Sequence, residues 1–179
     1  MKNIVGSVLI IGLGMIGSSI ALASRSKGIK VYGHDEDFSS VKLALKEKII
    51  DESINSFDEI KNKKLEDKVD LIIVSVPPRK TQEVFNQIQE LWNTSITITD
   101  TSSVKNHIKV DGINNIVLSH PIAGSHKSGA LAADKELFLN KKNVICNPFS
   151  AHEDHLDRLM NYWEDAIQMN TCIMSVSDH

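Results

Sequence analysis

The stretch Val8-Leu-Ile-Ile-Gly-Leu-Gly-Met-Ile-Gly17 constrains the fold more than any other part of this chain. Its apolar start reads as a strand buried on both faces, and it runs without a spacer into a Gly-x-Gly-x-x-Gly turn. Residues 18–26 continue as a helix. This order points free backbone N–H groups and the positive end of a helix dipole at the strand's carboxyl edge, where they attract phosphate. Gly12 allows the sharp turn, Gly14 lets the backbone approach a pyrophosphate, and Gly17 lets helix and strand pack closely. Met15 and Ile16, between the last two glycines, belong to the same cofactor surface.

A second strand, 29–34, ends at Asp35. An acid about 20 residues past such glycines accepts hydrogen bonds from an adenosine ribose. A carboxylate favours the free 2′-hydroxyl of NAD and repels the 2′-phosphate of NADP. The next residues are Glu36, Asp37 and Phe38, so no adjacent cation offsets that repulsion. The reading is NAD. Asp35 also stands where it would cap a helix over 36–47, a compatible role.

The 179 residues give room for one domain and little more. A hydrophobic fraction of 41% and a charged fraction of 24% suit a soluble protein with a substantial core. A net charge of −3 gives no ground for a nucleic-acid partner, and the lysines of 61–68 alternate with acids. No apolar run has the length of a membrane span, and Met1-Lys-Asn leads straight into the first strand without a signal peptide. Cys146 and Cys172 lie outside any Cys-x-x-Cys pattern, which suits a reduced cytoplasmic setting with both thiols buried. The polar stretch 51–68 reads as a solvated surface helix and loop.

Apolar runs alternate with amphipathic ones along the chain, the pattern of a Rossmann-type α/β fold. Such a fold is doubly wound, with a mainly parallel sheet and helices on both faces. Strands are expected at 5–11, 29–34, 69–76, 95–99, 115–118 and 142–146, with a last one over 171–175. Helices are expected near 15–26, 36–47, 79–92 and 151–167, with a short one around 103–109. Ligands in such sheets bind beyond the strands' carboxyl ends. Asp35, Ser75, residues 100–103, Lys105 and residues 119–129 should therefore share one rim. His120, just past the strand expected at 115–118, is a candidate proton acceptor for a substrate hydroxyl. A purely structural bond to the loop backbone is its alternative. His152 and His155 have a spacing that could hold a metal, but no third ligand is apparent, and the reading is a solvated helix face with no metal site.

Four blocks carry a more specific resemblance: Gly-Leu-Gly-Met-Ile-Gly-Ser-Ser-Ile-Ala (12–21), Val-Ser-Val-Pro-Pro (74–78), Thr-Asp-Thr-Ser-Ser-Val-Lys (99–105) and Ser-His-Pro-Ile-Ala-Gly-Ser (119–125). In that order the chain resembles the N-terminal domain of the prephenate/arogenate dehydrogenase family, over essentially its whole length. The resemblance implies NAD-dependent oxidative decarboxylation of prephenate or arogenate to the tyrosine precursor. It makes His120 the group that takes the ring hydroxyl's proton and Ser103 a serine that contacts the same hydroxyl and the nicotinamide region. It places Ser125 in the substrate pocket and Val76 and Pro77 against the adenosine half of NAD, and it gives Lys105 a local positioning role.

Two departures from the family pattern stand out. His126, counted with the substrate pocket, occupies a region of the motif where many members carry an acid, and a solvated loop residue is its alternative. Members also continue into a helical C-terminal domain that dimerises and supplies a substrate-binding arginine. Residues 1–176 read as the NAD-binding domain and 177–179 as the start of the hinge to that domain, here absent. The expectations are a cofactor-binding half with little turnover alone, a homodimer in a full-length form, and apolar surface left exposed around the rim and last strand. A non-catalytic NAD-sensing module and another NAD(P)-dependent oxidoreductase of similar half-fold remain as alternatives.

Overall fold

The computed structural model describes residues 4–61, 63–65, 67–124, 128–146 and 151–179. Strand β1 (Ser7–Ile11) feeds helix α1 (Met15–Ser26), and β2 (Lys30–His34) feeds α2 (Phe38–Lys46). A two-residue strand β3 (Glu52–Ser53) and a short helix α3 (Phe57–Lys61) follow. Then come β4 (Leu71–Val74), α4 (Pro78–Gln87) and β5 (Thr97–Asp100). The chain ends with β6 (Leu118–Pro121), β7 (Lys142–Cys146), α5 (Glu153–Asn161) and β8 (Asn170–Met174).

The first five strands form a parallel sheet in the order β3-β2-β1-β4-β5. Alternation along each strand divides the core in two. Val8, Ile10, Val31, Leu71 and Ile73 pack with α1, α2 and α5, whereas Leu9, Ile11, Ile72 and Val74 pack with α3 and α4. This is the doubly wound arrangement expected of continuous apolar strands joined by amphipathic helices.

Strands β6, β7 and β8 form a second sheet, joined to the first, among the described residues, by one parallel bridge between Ile98 and Ile116. Within it β6 and β7 are antiparallel and β7 and β8 parallel, so strand pairing across the two sheets is mainly but not uniformly parallel. Helix α5 continues into one π-helical turn over Tyr162–Ala166, where Trp163 is fully buried. The Tyr162 hydroxyl lies 2.7 Å from Ser24 Oγ and fastens this turn to α1.

Several expectations are corrected. Residues 103–109 form turns, not a helix, because Ser102 folds its hydroxyl onto both backbone groups of Val104 and Lys105 turns inward. The strand expected at 115–118 runs instead from 118 to 121, which places His120 inside a strand, opposite Val144. The polar stretch 51–68 is more than solvated surface: β3 pairs with β2, and Ile54, Ile60 and Leu65 are buried. Cys146 is buried but Cys172 is exposed, since β8 is an edge strand. His152 caps α5 at the surface, whereas His155 is buried and bonded to Thr97 Oγ1 at 2.8 Å, so the pair shares no solvated face. Among the described residues, no helix is long and apolar enough to cross a membrane.

Candidate active site

Two adjoining pockets open at the carboxyl edge of the parallel strands. One is lined by Gly12, His34, Asp35, Glu36, Phe57 and Lys80, and the other by Met15, Ile16, Ser103, His120 and Gly129. Gly14, Ser75, Val76 and Pro77 line both. The glycine turn, the 74–78 block and the 99–105 block therefore meet His120 along one continuous cleft.

The glycines divide their work as the motif requires. Gly12 has φ +99°, donates its N–H to the His34 carbonyl at 2.8 Å, and abuts Ser75 so closely that a Cβ would collide with the carbonyl. A Cβ on Gly17 would strike the Gly12 carbonyl. At Gly14 a Cβ would meet nothing within 4 Å. Gly14 is the N-cap of α1 and offers no side-chain cap, so the first-turn N–H groups at this open spot are available to an anion.

Asp35 is held in place at both oxygens. Oδ2 accepts from Leu13 N at 2.7 Å and Oδ1 from Asp37 N at 2.8 Å, leaving lone pairs on each for a further donor. Asp37, not Asp35, caps α2 by accepting from Ser39 N. Lys80, from the first turn of α4, reaches the same pocket and lies 2.7 Å from Glu36 Oε2. The cation missing from the sequence next to Asp35 is thus supplied by Lys80, 44 residues beyond Glu36. Arg79, by contrast, is exposed and lines neither pocket. His34 ends β2, packs edge-on against Phe57 and bonds the Ile54 carbonyl through Nδ1, while its buried Nε2 has no partner among the described residues.

His120 stands at the other end of the cleft, partly exposed. Its Nδ1 lies 2.9 Å from His179 Nε2. Burial first, then His179 and the Lys105 ammonium, push its pKa down to about 4. The ring is therefore neutral at pH 7 and keeps a lone pair for a proton. Ser103 is exposed, and among the described residues its hydroxyl has no hydrogen-bond partner. Ser125 and His126 lie outside the described residues.

Beneath His120 sits an ion pair sealed from solvent. Lys105 Nζ donates to Asp100 Oδ1 at 2.7 Å, to Asp100 Oδ2 at 2.6 Å and to the Ser119 carbonyl at 2.6 Å, and both side chains are 0% exposed. Asp100 also accepts from the backbone N–H groups of Ser102 and Ser119. Burial pushes the Asp100 carboxyl up and the Lys105 amine down, and the attraction between them opposes both shifts. Asp100 ends β5 and Ser119 precedes His120, so the pair fixes the Ser103 turn relative to the His120 strand. On the far side of that turn, His107 Nε2 lies 2.6 Å from the Pro78 carbonyl.

The family model described as prephenate dehydrogenase, nucleotide-binding domain, matches residues 20–168. The chain belongs to that family. The matched stretch includes Asp35, Ser103 and His120, with the glycine turn immediately before it. A prephenate dehydrogenase of Lactococcus lactis is 36% identical over 149 residues, covering 77% of this chain and 40% of that protein. Another, from Bacillus subtilis, is 31% identical over 174 residues, covering 90% and 44%. The chain thus spans less than half the length of these two relatives. The crystal structure of Aquifex aeolicus prephenate dehydrogenase in complex with hydroxyphenyl propionate and NAD+ superposes with a TM-score of 0.84 at 29% identity, covering 97% of this chain and 61% of that one.

Sequence reasoning placed the glycine turn, Asp35, Val76, Pro77, Ser103 and His120, and the structure brings these into one cleft. It missed Lys80 and His179. Neither carries a local motif; each joins the site through folding over 44 and 59 residues respectively. Ile122, Leu131 and Ile173 are among the exposed large apolar side chains, which also include Ile4, Phe38 and Leu139.

Proposed function

We propose that this chain holds NAD and supplies the proton acceptor for oxidative decarboxylation of prephenate or arogenate to the tyrosine precursor. The observation that carries the reading is the continuous cleft from the glycine turn to His120. The residues present fit a dinucleotide: open backbone at Gly14 for phosphates, spare lone pairs on Asp35 for a ribose, and an orphaned His34 nitrogen in the wall beside them. When bound there, NAD supplies the hydride acceptor. Ser103 orients the ring hydroxyl of the substrate, and His120, neutral at pH 7, accepts its proton. A pKa of about 4 makes His120 a weak base. That suffices for a hydroxyl that acidifies as its carbon is oxidised, while loss of CO2 and aromatisation drive the reaction.

The substrate contacts expected from Ser125 and His126, and a carboxylate-binding arginine, belong to this proposal too. So do a cytoplasmic setting and homodimerisation of a form that carries a helical C-terminal domain. Titration of the chain with NADH tests the first half: saturable binding is expected, and its absence refutes the reading. In a form that turns over prephenate, His120→Asn should slow hydride transfer by roughly 10²–10⁴-fold with NADH affinity nearly unchanged. Loss of NADH affinity instead would make the imidazole structural. NADH binding with no turnover in any form would favour a sensing module.

A further inference from the structure

The adenosine end of the cleft contains a charge arrangement that the NAD reading does not require. Lys80 is on α4 and Glu36 follows the end of β2, and their 2.7 Å contact spans the pocket that Asp35 also lines. We propose that Glu36 and Lys80 together decide which dinucleotide this pocket accepts. Lys80 is a latent phosphate-binding cation, and Glu36 occupies it so that only the unphosphorylated ribose is welcome. This rests on the cofactor reading above and extends it from the class of ligand to the residues that discriminate within it.

Both partners are charged at neutral pH, since each stabilises the other's ion: Glu36 is held below the usual carboxylate range and Lys80 above the usual amine range. Asp35, Glu36 and Lys80 together leave one net negative charge at the ribose position. A 2′-phosphate brings close to two more, so it meets repulsion from two carboxylates and a lysine already engaged. Removing the Glu36 charge brings the net charge of these groups to zero and releases an ammonium on a flexible stem that can turn to a phosphate. Both side chains are about half exposed, so the exchange leaves the core untouched.

The test titrates this chain with NADH and NADPH at low ionic strength, in wild type, Glu36→Gln, Lys80→Met and the double variant. Wild type should prefer NADH. Glu36→Gln should tighten NADPH by about tenfold and leave NADH within about threefold, the scale expected for one unit charge several ångströms from a phosphate in a wet pocket. The gain should vanish in the double variant and shrink as salt is added. The proposal is overturned if Glu36→Gln leaves NADPH unchanged, tightens both dinucleotides alike, or keeps its gain without Lys80. If wild type binds neither dinucleotide, the cofactor reading falls, and this proposal with it.

Discussion

Replacing Lys105 with Met isolates the contribution of the buried ion pair. Methionine matches the lysine stem in length but removes three charge-assisted hydrogen bonds, two to Asp100 and one to the Ser119 carbonyl. It strands a carboxylate that is 0% exposed, with two backbone N–H groups as its remaining donors. Breaking one side of a buried pair costs about 3–5 kcal/mol. For a domain of this size that lowers Tm by roughly 6–20 °C. The loss should also depend on pH. Without the ammonium, the Asp100 carboxyl rises further above its unfolded value, so the folded variant binds more protons than the unfolded chain over that interval. Its stability then falls as pH rises, and the damage is smaller at pH 5 than at pH 8. Urea denaturation at both pH values measures this, and Asp100→Asn combined with Lys105→Met should recover part of the loss. A cost below about 1 kcal/mol, or an equal cost at pH 5 and 8, would refute the reasoning.

Two further expectations concern the glycine turn and a buried histidine. Gly14→Ala adds a methyl to open space at an ordinary φ of −71°, so thermal stability should hold while NADH affinity drops; Gly17→Ala collides with the Gly12 carbonyl and should lower Tm. Equal Tm values for the two variants would contradict this. His155, buried beside Arg158, has its pKa pushed down to about 4, against about 6.5 when unfolded. Between those values the unfolded chain binds more protons, so stability should decline as pH falls through that window. His155→Gln should flatten the decline, and an unchanged slope in urea melts at pH 7 and 5 would remove His155 from the account.

The parts of this fold legible in the sequence are those whose physics is local. An apolar run ending in Gly-x-Gly-x-x-Gly specifies strand, turn and helix within ten residues, and Asp35 follows one strand later. Residues 103–109 misled because Val104 and Ile108 have helical spacing, yet the Ser102 hydroxyl competes for the backbone and Lys105 finds a carboxylate inside. The partnerships of Glu36 with Lys80, Asp100 with Ser119 and His120 with His179 exist only once distant strands are adjacent. Strand β3 escaped notice for a different reason: two polar residues pairing at a sheet edge carry no hydrophobic period. Cys172 was misplaced because thiol burial depends on whether a strand is central or at the edge.

Among the described residues the two sheets share one backbone bridge, so the ladder does little to hold the strand bearing His120 at a fixed separation from the nucleotide turn. That spacing is kept by the hydrogen bonds of Ser119 to Thr99 and Asp100 and by a rivet of opposite charges that water cannot reach. Loosening it by a fraction of an ångström would leave the fold standing but detune the alignment of donor and acceptor. Milder substitutions beside the rivet, which leave both charges paired, should therefore disturb that alignment before they lower Tm.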